Sequence, residues 1–427
     1  MNKSPRLVAL ETLYSIFYDG SYSNIALDKA LSDIKENKAF ISALVYGVTE
    51  RKITLDYFID KYAQGRIKPK VRIVLWLGAY QLLFMDKVPS SASINESVKL
   101  VKEIKQDYYS KLVNAVLHKI DNDRQIPDDL SVKYSVPENL INMWKKQYGE
   151  DVLNEFLPCI NDKPPLFAIP NKKFVNSDEL LYELECDGIL GEAYDEFVLI
   201  ENANDLTDSK AFKNGLFYIE DLSSFNCANA LDALGDDLVL DMCSAPGGKA
   251  FTISQSMNNS GKIYCYDLHE HRLNLIKNSA KRLSIDYIYT DVNDATVYNE
   301  NIPKADKILC DVPCSGFGII RRKPEIRYKD LDSVKDLPQI QYKILETSSR
   351  YLKNGGRIIY STCTLNKNLL CRNKSKFILI NKKENENVVN KFLKDHSGYK
   401  LLKDKTVFPS TVGGDGFYYA IMVKNEN

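Results

Sequence analysis

The chain has 427 residues, 44% of them hydrophobic and 27% charged, an ordinary composition for a folded protein of more than one domain. Lys+Arg and Asp+Glu both number 57, and a formal net charge of zero neither argues for nucleic-acid binding nor forbids a local basic surface. No apolar run reaches the roughly 20 residues that span a bilayer, and the N-terminus carries acids and tyrosines where a secretory signal needs an unbroken apolar stretch.

Nine cysteines, scattered through a long chain with no such signal, read as reduced thiols in a cytoplasmic protein. With four histidines and no CxxC pair, no metal site is expected.

Residues 1–125 read as helical throughout. Apolar positions recur at three- and four-residue spacing in Leu7–Phe17, Ile25–Ile34, Phe40–Val48, Leu55–Tyr62, Val71–Phe84, Ile94–Ile104 and Leu112–Ile120. Breaks fall at Asp19-Gly20-Ser21, Pro69 and Val88-Pro89-Ser90. The stretches ALVYGVTERKITLDYFID, RIVLWLGAYQLLFMDKVPSSASINESVKLVK and KLVNAVLHKI resemble the NusB-like RNA-binding fold. That resemblance implies a module that docks RNA or a ribonucleoprotein. The stripe Lys99, Lys102, Lys105, Lys111 and Lys119 is its candidate phosphate-facing surface, a solvated helix face being the alternative.

Residues 126–215 are punctuated by proline and read as a small α+β connector. A helix is expected near Glu138–Glu155, a strand at Leu166–Ile169, a helix at Ser177–Glu185 and a strand at Phe197–Ile200. From residue 216 to 427 strands and helices alternate. Strands are expected at Leu238–Met242, Lys262–Asp267, Tyr287–Tyr289, Lys307–Cys310, Arg357–Ser361 and Tyr418–Val423. The fold class is therefore α/β, a doubly wound parallel sheet of Rossmann type whose ligands sit at the C-terminal strand ends, preceded by an all-α bundle and the connector.

The first of these strands runs through LVLDMCSAPGGKA into a glycine turn and a helix, so the backbone of Cys243, Ser244, Ala245, Pro246, Gly247, Gly248 and Lys249, with its N–H groups other than at the proline, can approach a ligand closely. About 20 residues on, IYCYDLHEHR ends a strand in Asp267, placed to accept hydrogen bonds from ribose hydroxyls. In YTDVNDA, Asp294 or Asp291 faces an adenine, spacing favouring Asp294. Two later strands, in KILCDVPCSGFGIIRRKPEIRY and GGRIIYSTCT, each put a cysteine just past the strand end, Cys314 and Cys363. One such cysteine is more often structural; two at one edge, opposite a glycine turn, point to chemistry.

The APGGK turn, DVPCSG loop and TCT strand end together resemble the RNA cytosine-C5 methyltransferases. With the NusB-like front, the likeness extends over nearly the whole chain, to the bacterial Sun (RsmB) ribosomal RNA enzymes. It implies S-adenosyl-L-methionine as cofactor, bound by the turn and by Asp267, Asp294 and Asp311. It implies a cytosine of 16S rRNA or of a small-subunit precursor as substrate, and a monomer. By the same likeness Cys363 is the nucleophile that adds to C6, and Cys314 releases the adduct. Asp311 is placed for the N3/N4 edge of cytosine, where a hydrogen bond stabilises the charge pushed into the ring. A free thiol has a pKa near 8.5, so roughly a tenth or less is thiolate at neutral pH. Lys249 is the motif cation that would raise the fraction. Arg321, Arg322, Lys323 and Arg327, in the run IIRRKPEIRYK, suit an RNA backbone beside the site. The target base has to be single-stranded or flipped.

One stretch departs from the family. An acidic Glu-Asn-Glu helix normally follows the TCT cysteine closely, whereas here removal of residues 368–382 would be needed to join STCTLNK to KENENVV. A longer surface loop costs only about 0.6 kcal/mol per doubling, so the fold is expected to tolerate the 15-residue insert. It puts at issue whether the acidic helix still docks beside Cys363. The competing functions are a tRNA cytosine-C5 methyltransferase and a catalytically impaired RNA-binding ribosome-assembly factor.

Overall fold

A computed structural model describes residues 3–202, 206–257, 260–366, 384–409 and 413–426. It divides into two compact units. One comprises Met1–Asp162 with Ile320–Lys329, the other Lys163–Ile319 with Asp330–Asn427.

The first unit is built from α1 (Pro5–Tyr18), α2 (Ser23–Leu31), α3 (Lys38–Tyr62), α4 (Pro69–Phe84), α5 (Ser90–Glu103), α6 (Ser110–Asn122), α7 (Leu130–Tyr134), α8 (Glu138–Tyr148) and α9 (Glu150–Phe156). The segments expected at Phe40–Val48 and Leu55–Tyr62 are one 25-residue helix, because the residues between them hold neither proline nor glycine and leave nothing to stop it. The helix expected near Glu138–Glu155 is instead two, α8 and α9, parted where Gly149 takes φ 89°. Helix α4, PKVRIVLWLGAYQLLF, is apolar on all sides and buried along most of its length, as the central helix of a bundle must be. Gly47 lets α3 and α4 approach: a β-carbon there would lie 1.9 Å from the Tyr80 ring.

The basic run does not face solvent as a strip of free cations. Arg327 is 1% exposed, and its Nη1 donates to the Glu50 carbonyl at 2.8 Å, the Ser135 carbonyl at 3.1 Å and Asn161 Oδ1 at 2.9 Å. Tyr328 donates to the Thr49 carbonyl at 2.7 Å, and Glu325 accepts from the Ser23 hydroxyl at 2.6 Å. Arg321 is also buried, and Lys323 lies over the Tyr22 ring. The expectation of a phosphate-facing patch is thus corrected for Arg327, whose charge is spent inside the helical unit, and for Arg321, which is buried. A guanidinium carries five donors in a fixed fork, which suits it to gather several carbonyls at once.

In the second unit a four-stranded antiparallel sheet has the order β2-β3-β1-β4, from β1 (Leu166–Pro170), β2 (Gly191–Tyr194), β3 (Phe197–Ile200) and β4 (Phe217–Ile219). Helix α10 (Ser177–Cys186) packs on it, opened by a capping box between Asn176 and Glu179, and α11 (Lys210–Lys213) leads to β4. Then follow α12 (Leu222–Asn229), β5 (Leu238–Asp241), α13 (Gly248–Ser256), β6 (Lys262–Asp267), α14 (Glu270–Arg282), β7 (Ile288–Val292), β8 (Ala305–Asp311), α15 (Leu337–Ser349), β9 (Leu352–Thr362), α16 (Glu386–Asp395), β10 (Tyr399–Val407) and β11 (Phe417–Lys424). The large sheet has the order β10-β11-β9-β8-β5-β6-β7.

Five neighbours, β9-β8-β5-β6-β7, are parallel, but β11 pairs antiparallel with β9 and β10 antiparallel with β11. The all-parallel expectation is corrected at this edge. Strand β10, YKLLKDKTV, escapes a reading of the sequence because its lysines disguise an edge strand as polar loop, and such charges are what keep an exposed edge from pairing further. The chain winds outward from β5 in both directions, so a topological switch lies between β5 and β8, where open α/β sheets bind ligands. Among the described residues no helix is long and apolar enough to cross a membrane.

Replacing Arg327 with alanine strands several buried carbonyls and leaves a void, at a cost of roughly 3–5 kcal/mol. Thermal unfolding should show a clear drop for Arg327→Ala. Wild-type melting with a reduced salt dependence of RNA binding would return Arg327 to the RNA surface.

Candidate active site

Every chemical residue singled out above lies at or just past the C-terminal end of a strand. After β5 the ladder continues for two residues, Met242 N–H donating to the Leu309 carbonyl at 3.0 Å and Ser244 N–H to the Tyr266 carbonyl at 2.8 Å, before the chain turns into α13. Gly247 has φ 109°, and a β-carbon at Gly248 would lie 1.4 Å from Glu220 Oε2. A side chain at Gly248 would displace the Glu220 carboxylate, which rests on the first turn of α13.

Asp267, at the end of β6, is 4% exposed and forms an ion pair with Arg272 at 3.0 Å; it also accepts from the His269 N–H at 3.1 Å. Arg272 reaches across to the Ala245 carbonyl at 2.6 Å, tying the glycine turn to the acid. Asp294 is exposed and caps its own turn, accepting from the Thr296 N–H at 2.9 Å and hydroxyl at 2.7 Å, bonds that hold its carboxyl below the ordinary range. Asp291 is exposed as well. Between them Asn293 is buried, its side-chain N–H₂ without a partner.

On β8, Asp311 Oδ2 takes Lys249 Nζ at 2.8 Å, and its Oδ1 accepts from the Ser361 hydroxyl at 2.9 Å. Burial alone would lower the Lys249 pKa, but the Asp311 and Glu220 carboxylates outweigh it and hold the ammonium well above its usual value. The lysine charge is therefore committed to Asp311. Burial, only partly relieved by Lys249, pushes Glu220 up to about 7. Burial likewise pushes Asp241, which is 1% exposed, up to about 7.

The two cysteines meet. Cys314 Sγ and Cys363 Sγ are 3.1 Å apart, and either can donate. The hydrogen bond to Cys363, then burial, hold the Cys314 thiol well above its ordinary pKa. Their loops are stitched by Gly318 N–H donating to the Cys363 carbonyl at 3.1 Å and Gly416 N–H to the Gly318 carbonyl at 2.9 Å. A β-carbon at Gly318 would lie 1.9 Å from the Gly416 carbonyl oxygen, so three segments converge only because this residue has no side chain.

The acidic helix docks. Glu384 and Asn385, just ahead of α16, are 1% and 0% exposed. Glu384 accepts from the Ser315 N–H at 2.8 Å and hydroxyl at 2.5 Å, from Gln341 Nε2 at 2.8 Å and from Asn366 Nδ2 at 3.0 Å. The insert at 368–382 lies outside the described residues, yet the residues on either side of that stretch, Asn366 and Glu384, are bonded to each other. Sequence reasoning missed Arg272, Asn293, Glu220 and Gln341. None has a motif spacing of its own, and each is found only through what it touches.

A sheet of this order, with a glycine turn after its central strand, is that of the Rossmann-like methyltransferases. Residues 228–423 match the family model for 16S rRNA methyltransferase RsmB/F, and residues 3–122 match that of the NusB family. The chain is 32% identical over 458 residues to the probable ribosomal RNA small subunit methyltransferase B of Bacillus subtilis, covering 99% of each. It is 27% identical to the ribosomal RNA small subunit methyltransferase B of Photorhabdus laumondii, covering 98% of each. The crystal structure of PH0851 superposes with a TM-score of 0.79 at 26% identity, over 99% of this chain and all of that one. That of NSun6 from Pyrococcus horikoshii with SFG gives 0.58 at 20% identity, over 68% of this chain and 99% of that one, a likeness of fold. The chain belongs to the ribosomal RNA small subunit methyltransferase B family.

The cofactor of this family, S-adenosylmethionine, supplies an electrophilic methyl group on a sulfonium. The residues fit it. The glycine turn leaves room a side chain would fill, and the buried Asn293 amide nitrogen at a neighbouring strand end has no protein partner.

For a carboxyl raised to about 7 when folded, the native state binds more protons than the unfolded chain between that value and the unfolded one near 3.9. Its stability contribution is full below the unfolded pKa and is lost as pH rises through the folded one. The unfolding midpoint of Asp241→Asn, relative to wild type, should therefore rise between pH 5 and pH 8, by the equivalent of a few kcal/mol at most. A difference independent of pH would mean that Asp241 is ionised throughout.

Proposed function

We propose that the protein transfers a methyl group from S-adenosylmethionine to C5 of a cytosine in 16S rRNA through a covalent bond between Cys363 and C6. The observation that carries this reading is the pair of sulfurs 3.1 Å apart at the strand ends beside the glycine turn. C5 of cytosine is too weak a nucleophile to take a methyl group unaided. Addition of the Cys363 thiolate to C6 pushes electron density through the ring to C5, which then takes the methyl group. Loss of the C5 proton and breaking of the C6–S bond restore the aromatic ring.

Asp311, paired with Lys249, is the group we assign to the N4 amino and N3 edge, where it accepts from the N4 amino group. Cys314, kept as a thiol, hydrogen-bonds the Cys363 sulfur; as the C6–S bond breaks it gives that departing sulfur its proton and takes the C5 proton in return. The turn Cys243–Gly248 with Lys249 holds the amino-acid end of the cofactor, Asp267 the ribose, and Asn293 with Asp294 the adenine. Asn293 supports that last assignment better than Asp294, since its buried amide needs a partner whereas Asp294 is satisfied by Thr296. Lys99, Lys102, Lys105, Lys111 and Lys119, all exposed, are the RNA surface of the helical unit, beside Tyr108, which is 92% exposed.

Methyl transfer from labelled S-adenosylmethionine to 16S rRNA tests the reading. Cys363→Ala should abolish transfer, and Cys314→Ala should accumulate protein covalently bound to RNA. The reverse pattern would exchange the two roles, and labelling of tRNA in preference to 16S rRNA would move the substrate. Deletion of residues 368–382 should keep transfer within about threefold of wild type, because loop length costs little and both flanks are anchored. A dead but folded deletion variant would give the insert a function.

A further inference from the structure

Two consecutive buried residues touch both cysteine segments, and the covalent scheme uses neither. Resting on that scheme, we propose that Glu384 and Asn385 are positioning residues that set the two sulfurs against each other, Glu384 gripping the Cys314 segment and Asn385 the Cys363 segment.

The contacts bracket each cysteine on both sides. Before Cys314, the Pro313 carbonyl accepts from Gln341 Nε2 at 2.9 Å, and the same amide nitrogen donates to Glu384 Oε2 at 2.8 Å. After Cys314, the Ser315 N–H and hydroxyl both donate to Glu384. Before Cys363, the Thr362 hydroxyl donates to Asn385 Oδ1 at 2.6 Å; after it, the Thr364 carbonyl accepts from Asn385 Nδ2 at 3.0 Å. A cross-link joins the two brackets, Thr364 Oγ1 lying 2.7 Å from Ser315 Oγ and accepting from the Phe317 N–H at 3.2 Å.

The residue types are demanded by this arrangement. All four groups that meet Glu384 are donors, and only an ionised carboxylate offers acceptors on both oxygens. A glutamine would turn an N–H₂ toward two of them. Asn385 has to accept from a hydroxyl and donate to a carbonyl at once, which an amide does and a carboxylate cannot. Its backbone, at φ 68° and ψ −125°, lies outside the αL well, a conformation that these two side-chain bonds help to hold. The Glu384 charge also adds to the influences that keep Cys314 a thiol, after the Cys363 hydrogen bond and burial.

The test uses the full-length protein with 16S rRNA and labelled S-adenosylmethionine. Glu384→Gln and Asn385→Ala should each lower the single-turnover rate by up to about a hundredfold, the scale of an ångström-sized misplacement of reacting groups. Affinity for S-adenosylmethionine by calorimetry and KM for RNA should stay within about twofold. In Glu384→Gln the alkaline limb of the rate profile should move to lower pH, since the carboxylate that opposes Cys314 ionisation is gone. Thr362→Val leaves the buried carboxylate in place and removes only the hydroxyl bound by Asn385. It should match Asn385→Ala, and the double variant should be no worse than either single one.

Full single-turnover rates in Asn385→Ala and Thr362→Val would overturn the proposal while leaving the covalent scheme intact. So would equal losses in cofactor affinity, KM and rate, which mark general unfolding of the region. An active Cys363→Ala, by contrast, overturns the scheme on which the proposal rests.

Discussion

The register of β8 against β9 decides what this site can do. Asp311 stands opposite Ser361, so three residues on from one and two residues on from the other bring Cys314 and Cys363 into contact across 49 positions of sequence. Parallel strands cannot be joined by a short turn, and this pair is connected through the long excursion that contains residues 320–329 and α15. A slip of one residue would turn Ser361 away from Asp311 and Cys363 away from Cys314. The bonds from Val312 N–H to Ser361 and from Gly318 N–H to Cys363 extend the ladder past the last paired residues, and Gly318 is the point where no side chain fits.

Around that pair the charges form one coupled set. Lys249 is shared between Asp311 and, at longer range, Glu220, so its ammonium stabilises carboxylates rather than standing free beside a thiol. Asp241 and Glu220 lie where burial favours their neutral forms near neutral pH. Asp311 is held in place between them by Lys249 and Ser361. Preorganised charge of this kind costs no rearrangement when charge develops on a bound base.

The helical unit uses cations differently. Arg327, which in the sequence belongs to a run suited to RNA, binds backbone carbonyls in the interior instead, because five fixed donors serve a cluster of otherwise stranded acceptors better than a single phosphate would require. The lysines of α5, α6 and the turn between them remain exposed. Charge counted along a chain therefore says little about charge presented at a surface.

Motif-borne features are legible in the amino-acid sequence. The glycine turn, Asp267, Asp311, both cysteines and most strands of the catalytic sheet follow from short-range pattern, since each depends on local backbone geometry and on hydrophobic periodicity. The union of two helical segments into α3, the break at Gly149 and the polar edge strand β10 are not, because local signals there are weak or disguised. Also out of reach is every role fixed by a partner distant in sequence: Arg272 on the glycine turn, Gln341 beneath Pro313, the burial of Arg327, and the grip of Glu384 and Asn385 despite the insert ahead of them. The sequence by itself determined which chemical groups the protein carries and on which strand ends. Only the tertiary structure decided which of them touch, because a hydrogen bond or ion pair depends on ångström-scale distances that strand order and register alone create.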